Sequence, residues 1–174
     1  MAAAYAHAAT FTVNSNSVDL PGVSPGNGMC ETSLCDCALH AAIDESDSLP
    51  GTDQIILPPK TYLLTIRSGL FITGNLTIVG SGASTTFIEG NKGARLGDGV
   101  LIINPGTTVS IIGVTIQNGD KTTLTGVFGD LSGGGIYNSA TLRLINSLVR
   151  GQHRRPRRWR HLQHRLVVID QQYC

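Results

Sequence analysis

The chain has 174 residues, which is enough for one domain with a sizeable core. Aromatic residues make up only 5% of it and there are 21 glycines, so we expect a core built from Ile, Leu and Val. No apolar stretch approaches the length that crosses a bilayer, and we therefore expect no membrane span. The formal net charge of +1 by itself indicates no polyanionic partner.

That small net charge hides two oppositely charged regions. Residues 1–150 carry 7 Lys or Arg against 11 Asp or Glu, a net charge of −4. The segment 151–174 carries 6 Arg against one Asp, a net charge of +5, and it holds the only Trp. The composition therefore changes abruptly near Gly151.

The first nine residues are rich in alanine, and Ala6 and Ala8 have the spacing of the two small residues at a signal-peptidase site. We interpret residues 1–9 as the remnant of an export signal whose beginning lies upstream. The alternative is an Ala-rich terminus without a targeting role.

Further along, the elements follow in a simple order. Residues 11–13 are typical of a first strand, and the Gly, Pro, Asn and Ser residues of 14–28 indicate a loop. Residues 38–49 have helical spacing, with apolar residues on one face and Asp44, Glu45 and Asp47 on the other, and Pro50-Gly51 ends that helix. Residues 54–57 and 61–66 are strand-like, and from there the chain alternates strands with Gly or Asn turns.

A short strand phrase then recurs at 74–80, 108–113 and 140–146, with its matching positions 33 residues apart both times. Each copy alternates large apolar with small or polar residues and ends in Gly or Asn. Stacked copies would place Ile78, Ile111 and Leu144 in one inward ladder, next to a second ladder of Val79, Ile112 and Ile145. The Gly or Asn that follows is expected to take a left-handed corner conformation.

These repeats predict an all-β fold in which the strands stack turn upon turn into a solenoid. We expect an N-terminal capping segment with one short α-helix before it and an irregular C-terminal tail after it. A second repeat phrase, which we expect to be structural, consists of Gly135, Ile136, Tyr137 and Asn138.

Residues 26–30, 37–45, 50–58 and 61–62 together resemble the CSLREA domain. Ala38, His40 and Ala41 stand where that family has Ser, Arg and Glu. The resemblance implies an exported bacterial protein that continues as a right-handed parallel β-helix, and the phrase at 133–138 is similar to the repeats of polymorphic outer-membrane proteins. We accordingly divide the chain into a cap (10–68), β-helix turns (69–150) and a tail (151–174).

In an exported domain we expect Cys30 and Cys37 to form a disulfide, which leaves Cys35 over. The alternative is a zinc site made by Cys30, Cys35, Cys37 and His40, since thiolates and an imidazole are able to close a tetrahedron. The spacing of these four residues matches no standard zinc finger.

Catalysis on such a scaffold would need clustered carboxylates. The acids of the repeat region are Glu89, Asp98, Asp120 and Asp130, and each lies in a Gly-rich segment without a paired carboxylate nearby in the sequence. We therefore predict no catalytic residue, no metal and no cofactor.

The basic tail has two interpretations. Taken as printed, residues 153–160 resemble a nucleic-acid-binding arm in which Arg side chains contact phosphates and Trp159 stacks on a base. Alternatively, the tail is read in the wrong frame.

Removing one nucleotide near Gly151 builds each new codon from the last two bases of one codon and the first base of the next. The codon that spans Trp159 and Arg160 must then give Gly, and those of residues 161–164 allow Ile, Tyr and Asn, so the new frame allows the residue types of the phrase at 135–138. The codons of residues 170–172 allow Ile-Asn, the phrase at 145–146. Both correspondences have the same offset, from 136 to 161 and from 145 to 170, so we interpret the tail as a frameshifted further repeat.

Three functions stay open. We favour a non-catalytic fragment of an exported or cell-surface protein, of adhesin, stalk or passenger type, that binds a carbohydrate or a protein and no nucleic acid. The alternatives are a carbohydrate-active enzyme, a polysaccharide lyase or hydrolase whose active groove lies in further turns, and nucleic-acid binding through the basic tail. Because a short stack leaves an open strand edge, we also expect self-association and poor solubility.

Overall fold

A computed structural model of the chain describes residues 8–15, 19–65, 69–90, 99–121, 134–154 and 168–170. The helix in these ranges, α1, spans Leu39–Ser48. The strands, in chain order, are β1 (Thr10–Thr12), β2 (Thr52–Leu57), β3 (Thr61–Leu63), β4 (Leu70–Ile72), β5 (Asn75–Gly80), β6 (Phe87–Glu89), β7 (Leu101–Ile103), β8 (Thr108–Ile112), β9 (Thr115–Gln117), β10 (Asp120–Lys121), β11 (Ile136–Asn138), β12 (Thr141–Ile145), β13 (Leu148–Arg150), β14 (His153–Arg154) and β15 (Val168–Asp170).

These strands form sheets in which every pair is parallel. The largest sheet has six strands in the order β1-β2-β5-β8-β12-β15, and the others have the orders β13-β9-β6-β3, β11-β7-β4 and β10-β14. In the largest sheet Ile78 pairs with Ile111, and Ile111 pairs with Leu144, so the register reproduces the equal intervals of the sequence. The predicted ladder of Ile78, Ile111 and Leu144 is therefore present.

Alternation along the strands decides what is buried. Ile78 and Ile111 are 0% exposed, whereas their neighbours Val79 and Ile112 are half-buried and face outward. A fully buried aliphatic side chain of this size contributes about 1.5–3 kcal/mol, so the inward rows dominate the stability of the stack. Because parallel partners carry like residues, each row is continuous from one strand to the next.

Helix α1 closes one end of these rows. Its residues Leu39, Ala42 and Ile43 lie in the same hydrophobic cluster as the strand residues, and the helix contacts β2 and β4. The predicted boundary between a cap and the repeats, at residue 68, therefore does not divide the core.

Glycine and asparagine follow the strands for two different physical reasons. Gly113 and Asn146 have the expected left-handed backbone, with φ of 64° and 47°. Gly80 does not, but a Cβ atom there would lie 2.4 Å from the carbonyl oxygen of Gly113. At Gly80 it is therefore the close approach of two turns, rather than the backbone conformation, that requires glycine.

The expectation of an all-β solenoid, a right-handed parallel β-helix, is wrong. The described strands lie in separate short parallel sheets that are not closed on one another, and a buried helix belongs to the same core. The arrangement fits parallel sheets of an α/β-like class. Alternating strand phrases determine which strands pair and which faces are buried, but they do not determine how one sheet continues into the next.

The expectation of an irregular tail also needs correction. Two short strands lie within it: β14 pairs with β10, and β15 pairs with β12. A strand at the edge of a sheet presents backbone N–H and C=O groups to any extended segment, whatever its composition. Residues 155–167 and 171–174 of the tail, and residues 1–7 of the predicted export signal, lie outside the described residues.

The inward ladder is tested by a matched pair of substitutions on one strand. Ile78→Ala should lower the free energy of unfolding by about 2–5 kcal/mol, because it leaves a cavity between two paired strands. Val79→Ala, on the outward face of the same strand, should cost much less. Urea unfolding followed by far-UV circular dichroism measures both, and equal losses would contradict the assigned inward and outward faces.

Candidate functional site

The cysteines lie at the entrance to helix α1. Cys30 and Cys37 form a disulfide with their Cα atoms 5.1 Å apart, so the predicted pairing is present. Cys35 is exposed and has a left-handed backbone with φ of 57°. The disulfide therefore ties the loop before the helix to the buried start of the helix at Ala38 and Leu39.

The alternative zinc site is not assembled. The sulfur atoms of Cys30 and Cys37 are bonded to each other, and His40 Nδ1 lies 3.6 Å from a carboxylate oxygen of Asp19 instead. Within the described ranges, no group of three or more His, Cys, Asp or Glu side chains is placed to hold a metal ion. His40 therefore belongs to a contact with the preceding loop.

Carboxylates of the helix region act as acceptors for backbone amides. Glu45 is 1% exposed and accepts hydrogen bonds from the amides of Gly26, at 2.8 Å, and Gly28. Asp47 accepts from the amide of Gly74 at 2.8 Å, and from that of Thr73 at 3.0 Å. Burial raises the pKa of Asp47, and these hydrogen bonds oppose the shift.

Glu45, which helical spacing places on the polar face of α1, is therefore buried. Helical spacing locates a polar face, but it does not show that the loop at residues 26–28 folds over that face. The glycines of that loop were the available signal, since Gly26 and Gly28 both have positive φ and turn their amides toward one carboxylate.

A second carboxylate, Asp36, anchors the cysteine loop to the strand region. It accepts a hydrogen bond from the hydroxyl of Thr32. Hydrogen bonds from the Ser15 and Thr32 side chains, with a smaller contribution from the positive charge of Lys60, lower the pKa of Asp36 below its ordinary value. Lys60 also donates to the carbonyl oxygen of Ser15, so the loop and the strand region meet at a charged contact.

The outer face of the four-stranded sheet carries a row of polar side chains. Glu89, Gln117 and Arg150 are paired in register on β6, β9 and β13. Gln117 Nε2 donates to Glu89 Oε2 at 3.2 Å, and Arg150 Nε donates to Gln117 Oε1 at 3.0 Å. We call these three residues the outer polar row. Gln117 thus joins a negative and a positive side chain through its neutral amide group.

An aromatic ring and a strained corner support this row. The guanidinium carbon of Arg150 lies 5.9 Å from the centre of the Phe87 ring, within range of a cation–π contact. Asn118 has a left-handed backbone with φ of 56°, and its side-chain amide donates to Glu89 Oε1 at 2.9 Å. Gly151, which follows this row, has a left-handed backbone with φ of 66°, a conformation that favours glycine.

The side chain of Gln152 forms hydrogen bonds with the backbone next to the row. Its side-chain oxygen accepts from the amide of Gly119 at 2.8 Å, and its side-chain nitrogen donates to the carbonyl oxygens of Ile116, at 3.1 Å, and Arg150, at 2.9 Å. The backbone on both sides of the row is therefore held in place before any ligand arrives.

The structure places the other predicted residues as follows. Among the four acids of the repeat region, the structure describes the side chain of Glu89. Asp120 is described as part of the backbone of β10, and Asp98 and Asp130 lie outside the described residues. Ile136, Tyr137 and Asn138 form β11. Gly135 precedes them, and a Cβ atom there would lie 2.7 Å from the side-chain amide carbon of Gln152. Gln117 and Arg150 were not expected from the sequence, because only the strand register brings them to Glu89.

Both oxygens of Glu89 accept hydrogen bonds from neighbouring side chains. No family model, no curated protein and no solved structure matches this chain.

In the part of the chain that the structure describes, no helix has the length and apolar character needed to cross a membrane.

The disulfide gives a testable contribution to stability. Replacing Cys30 and Cys37 together by serine should lower the free energy of unfolding by about 2–3 kcal/mol, because the unfolded chain loses a short cross-link. Cys35→Ser is the matched control and should change it little, since that side chain is exposed. If the control variant were as destabilised as the double variant, the assigned pairing would be wrong.

Asp36 gives a pH-dependent prediction. Because its folded-state pKa lies below the ordinary value of 3.8, its ionised form stabilises the fold above that pH, and this contribution is lost as pH falls through the folded-state pKa. Asp36→Asn should therefore be less stable than the parent at pH 7, and the difference should shrink below pH 3.8. Thermal melts across this range measure the effect, with Glu31→Gln as a charge-matched control on the same loop. A difference that does not vary with pH would contradict the assignment.

Proposed function

We propose that this chain is part of a non-catalytic protein that works outside the cell or at the cell surface and binds a carbohydrate through its outer polar row. The observation that carries the proposal is the hydrogen-bonded row of Glu89, Gln117 and Arg150 across three strands of an outward-facing sheet. The Cys30–Cys37 disulfide supports an oxidising compartment, because such bonds persist mainly in exported proteins.

The chemistry of the row suits sugar hydroxyl groups. A hydroxyl both donates and accepts a hydrogen bond, and the row offers carboxylate and amide oxygens beside amide and guanidinium N–H groups. Its charges have opposite signs, so it presents little net field to attract a polyanion. The partly exposed ring of Phe87 adds an apolar surface beside these polar groups, on which the C–H face of a sugar can rest.

The geometry of the row also favours an extended ligand. Neighbouring strands lie about 4.8 Å apart, so the three side chains form a straight line of regularly spaced polar groups. Because the side chains are already hydrogen-bonded to one another and the corner at Asn118 is fixed, little side-chain freedom remains to be lost on binding. A rigid line of this kind suits a polysaccharide chain lying across the strands.

Binding to soluble polysaccharides tests the proposal. Isothermal titration with xylan, a mixed-linkage β-glucan and galactomannan should show binding of at least one of them by the parent chain. Gln117→Ala should weaken that binding about tenfold, since it removes the bridge between Glu89 and Arg150 and costs about 1.4 kcal/mol.

Arg143→Ala is the matched control for a companion variant, Arg150→Ala. Both arginines are exposed, but Arg143 lies on β12 in the six-stranded sheet. Arg150→Ala should weaken polysaccharide binding and Arg143→Ala should not. Absence of binding to all three polysaccharides, or equal weakening by both variants, would contradict the proposed function.

A further inference from the structure

A carboxyl group lies at an inward position of the six-stranded sheet. Asp53 pairs in register with Leu76, Leu76 pairs with Val109, and Val109 pairs with Leu142. The three aliphatic residues belong to the hydrophobic core, and Asp53, the next member of their row, is 1% exposed. Asp53 therefore stands where the row would otherwise continue with an apolar side chain.

Within the described ranges, one of the two oxygens of this carboxyl group has a partner. Asp53 Oδ1 accepts a hydrogen bond from the backbone amide of Ala9 at 2.7 Å. Asp53 Oδ2 is buried and makes no hydrogen bond with a described residue, and no described Lys, Arg or His side chain pairs with it. Burying a carboxylate is costly unless it is paired and hydrogen-bonded. The site therefore lacks one hydrogen-bond donor and one positive charge.

The nitrogen atom of Ala9 is able to supply both. It already lies beside Asp53, and the carbonyl oxygen of Ala9 accepts from the amide of Gln54 at 2.8 Å, so this residue is held on both sides. Ala9 also packs against the hydrophobic cluster, whereas Ala8 is exposed. In a chain that begins at Ala9, the same nitrogen is an α-ammonium group, which has three N–H donors and is mostly protonated at pH 7.

We propose that the peptide bond between Ala8 and Ala9 is a proteolytic processing site, and that Asp53 is the buried binding site for the α-ammonium group released by cleavage. An endopeptidase hydrolyses the bond with one water molecule. The C–N bond breaks, and the oxygen of the water becomes part of the new carboxylate of Ala8. Both protons of the water end on the nitrogen of Ala9, which then carries the positive charge.

The residues before the bond suit this step. Ala6 and Ala8 have the spacing of the small residues that a signal peptidase requires, and the exposure of Ala8 leaves the bond accessible. The structure adds an observation that small residues alone do not contain. Cleavage at this bond, and not at a neighbouring one, places the new charge beside the unpartnered oxygen of Asp53.

The new ion pair fixes the start of the first strand. Strand β1 follows Ala9 directly and pairs with β2, and its region contributes Phe11 and Val13 to the core. An α-ammonium group bound to Asp53 holds β1 in this register. Cleavage therefore stabilises the fold, in addition to removing the residues before Ala9.

Four chains that begin at Ala9 test the ion pair. Two keep Asp53 and two carry Asp53→Asn, and each is prepared with a free and with an acetylated α-amino group; acetylation keeps one N–H donor and removes the charge. With Asp53 present, the free amine should lower the unfolding equilibrium constant at least about tenfold relative to the acetylated chain, as measured by urea unfolding. The 174-residue chain should resemble the acetylated one. Equal stability of the two Asp53 chains would overturn the proposal.

Asp47→Asn is the matched control for Asp53→Asn. Asp47 also accepts backbone amides, but from Thr73 and Gly74 inside the chain. The gain from the free amine should persist in Asp47→Asn and disappear in Asp53→Asn. A second measurement needs no variant: the free α-amino group should react with an acylating ester at least about tenfold more slowly in the folded chain than in urea. Equal rates would also overturn the proposal.

The position of the cleavage is tested by export. A charged and apolar leader placed before Met1 directs the chain out of a bacterial cell, and mass spectrometry of the product should show that it begins at Ala9. Ala8→Phe removes a small residue at the bond and should block this cleavage. A product of the parent chain that begins at another residue would contradict the assigned bond.

Discussion

The in-register stacking of inward aliphatic side chains is the constraint on which the rest of this structure depends. Ile55, Ile78, Ile111 and Leu144 follow one another through four paired strands, and a shift of one residue would turn every member of such a row outward. The register therefore also fixes what stands on the outer face. The outer polar row exists because Glu89, Gln117 and Arg150 are carried by strands whose inward neighbours are Ile88, Ile116 and Val149.

The helix end of the stack shows how exposed backbone groups are satisfied without further strands. Glu45 and Asp47 each accept two backbone amides, and the side chain of Asp53 accepts the amide of Ala9 at 2.7 Å. Carboxylates that accept amides in this way are strong acceptors in partly buried surroundings. They serve as structural anchors here.

The sequence predicted those parts of the structure that depend on local pattern. The positions of α1 and of strands β1, β2, β3, β5, β8 and β12, the ladder of Ile78, Ile111 and Leu144, and the Cys30–Cys37 disulfide follow from spacing and residue type, or from the resemblance noted in the sequence. The closed solenoid was wrong, because strand phrases specify pairing but not the continuation of one sheet into another.

The candidate site depends on information that strand phrases lack. The interval from Glu89 to Gln117 differs from the interval from Gln117 to Arg150, so no constant spacing connects the three. Only the register of β6, β9 and β13 brings them together. The burial of Glu45 was hidden for a similar reason, since a distant loop covers a helix face that its own spacing marks as polar.

Native-state hydrogen exchange of this protein, resolved by residue, tests the in-register stacking of the inward side chains most directly. If continuous inward rows hold the strands together, amide protection will be highest in β5 and β8, at the centre of the six-stranded sheet, and lower in β13, at the edge of the four-stranded sheet. Uniformly fast exchange in β5 and β8, or protection in β13 equal to theirs, would contradict a fold held together by in-register stacking.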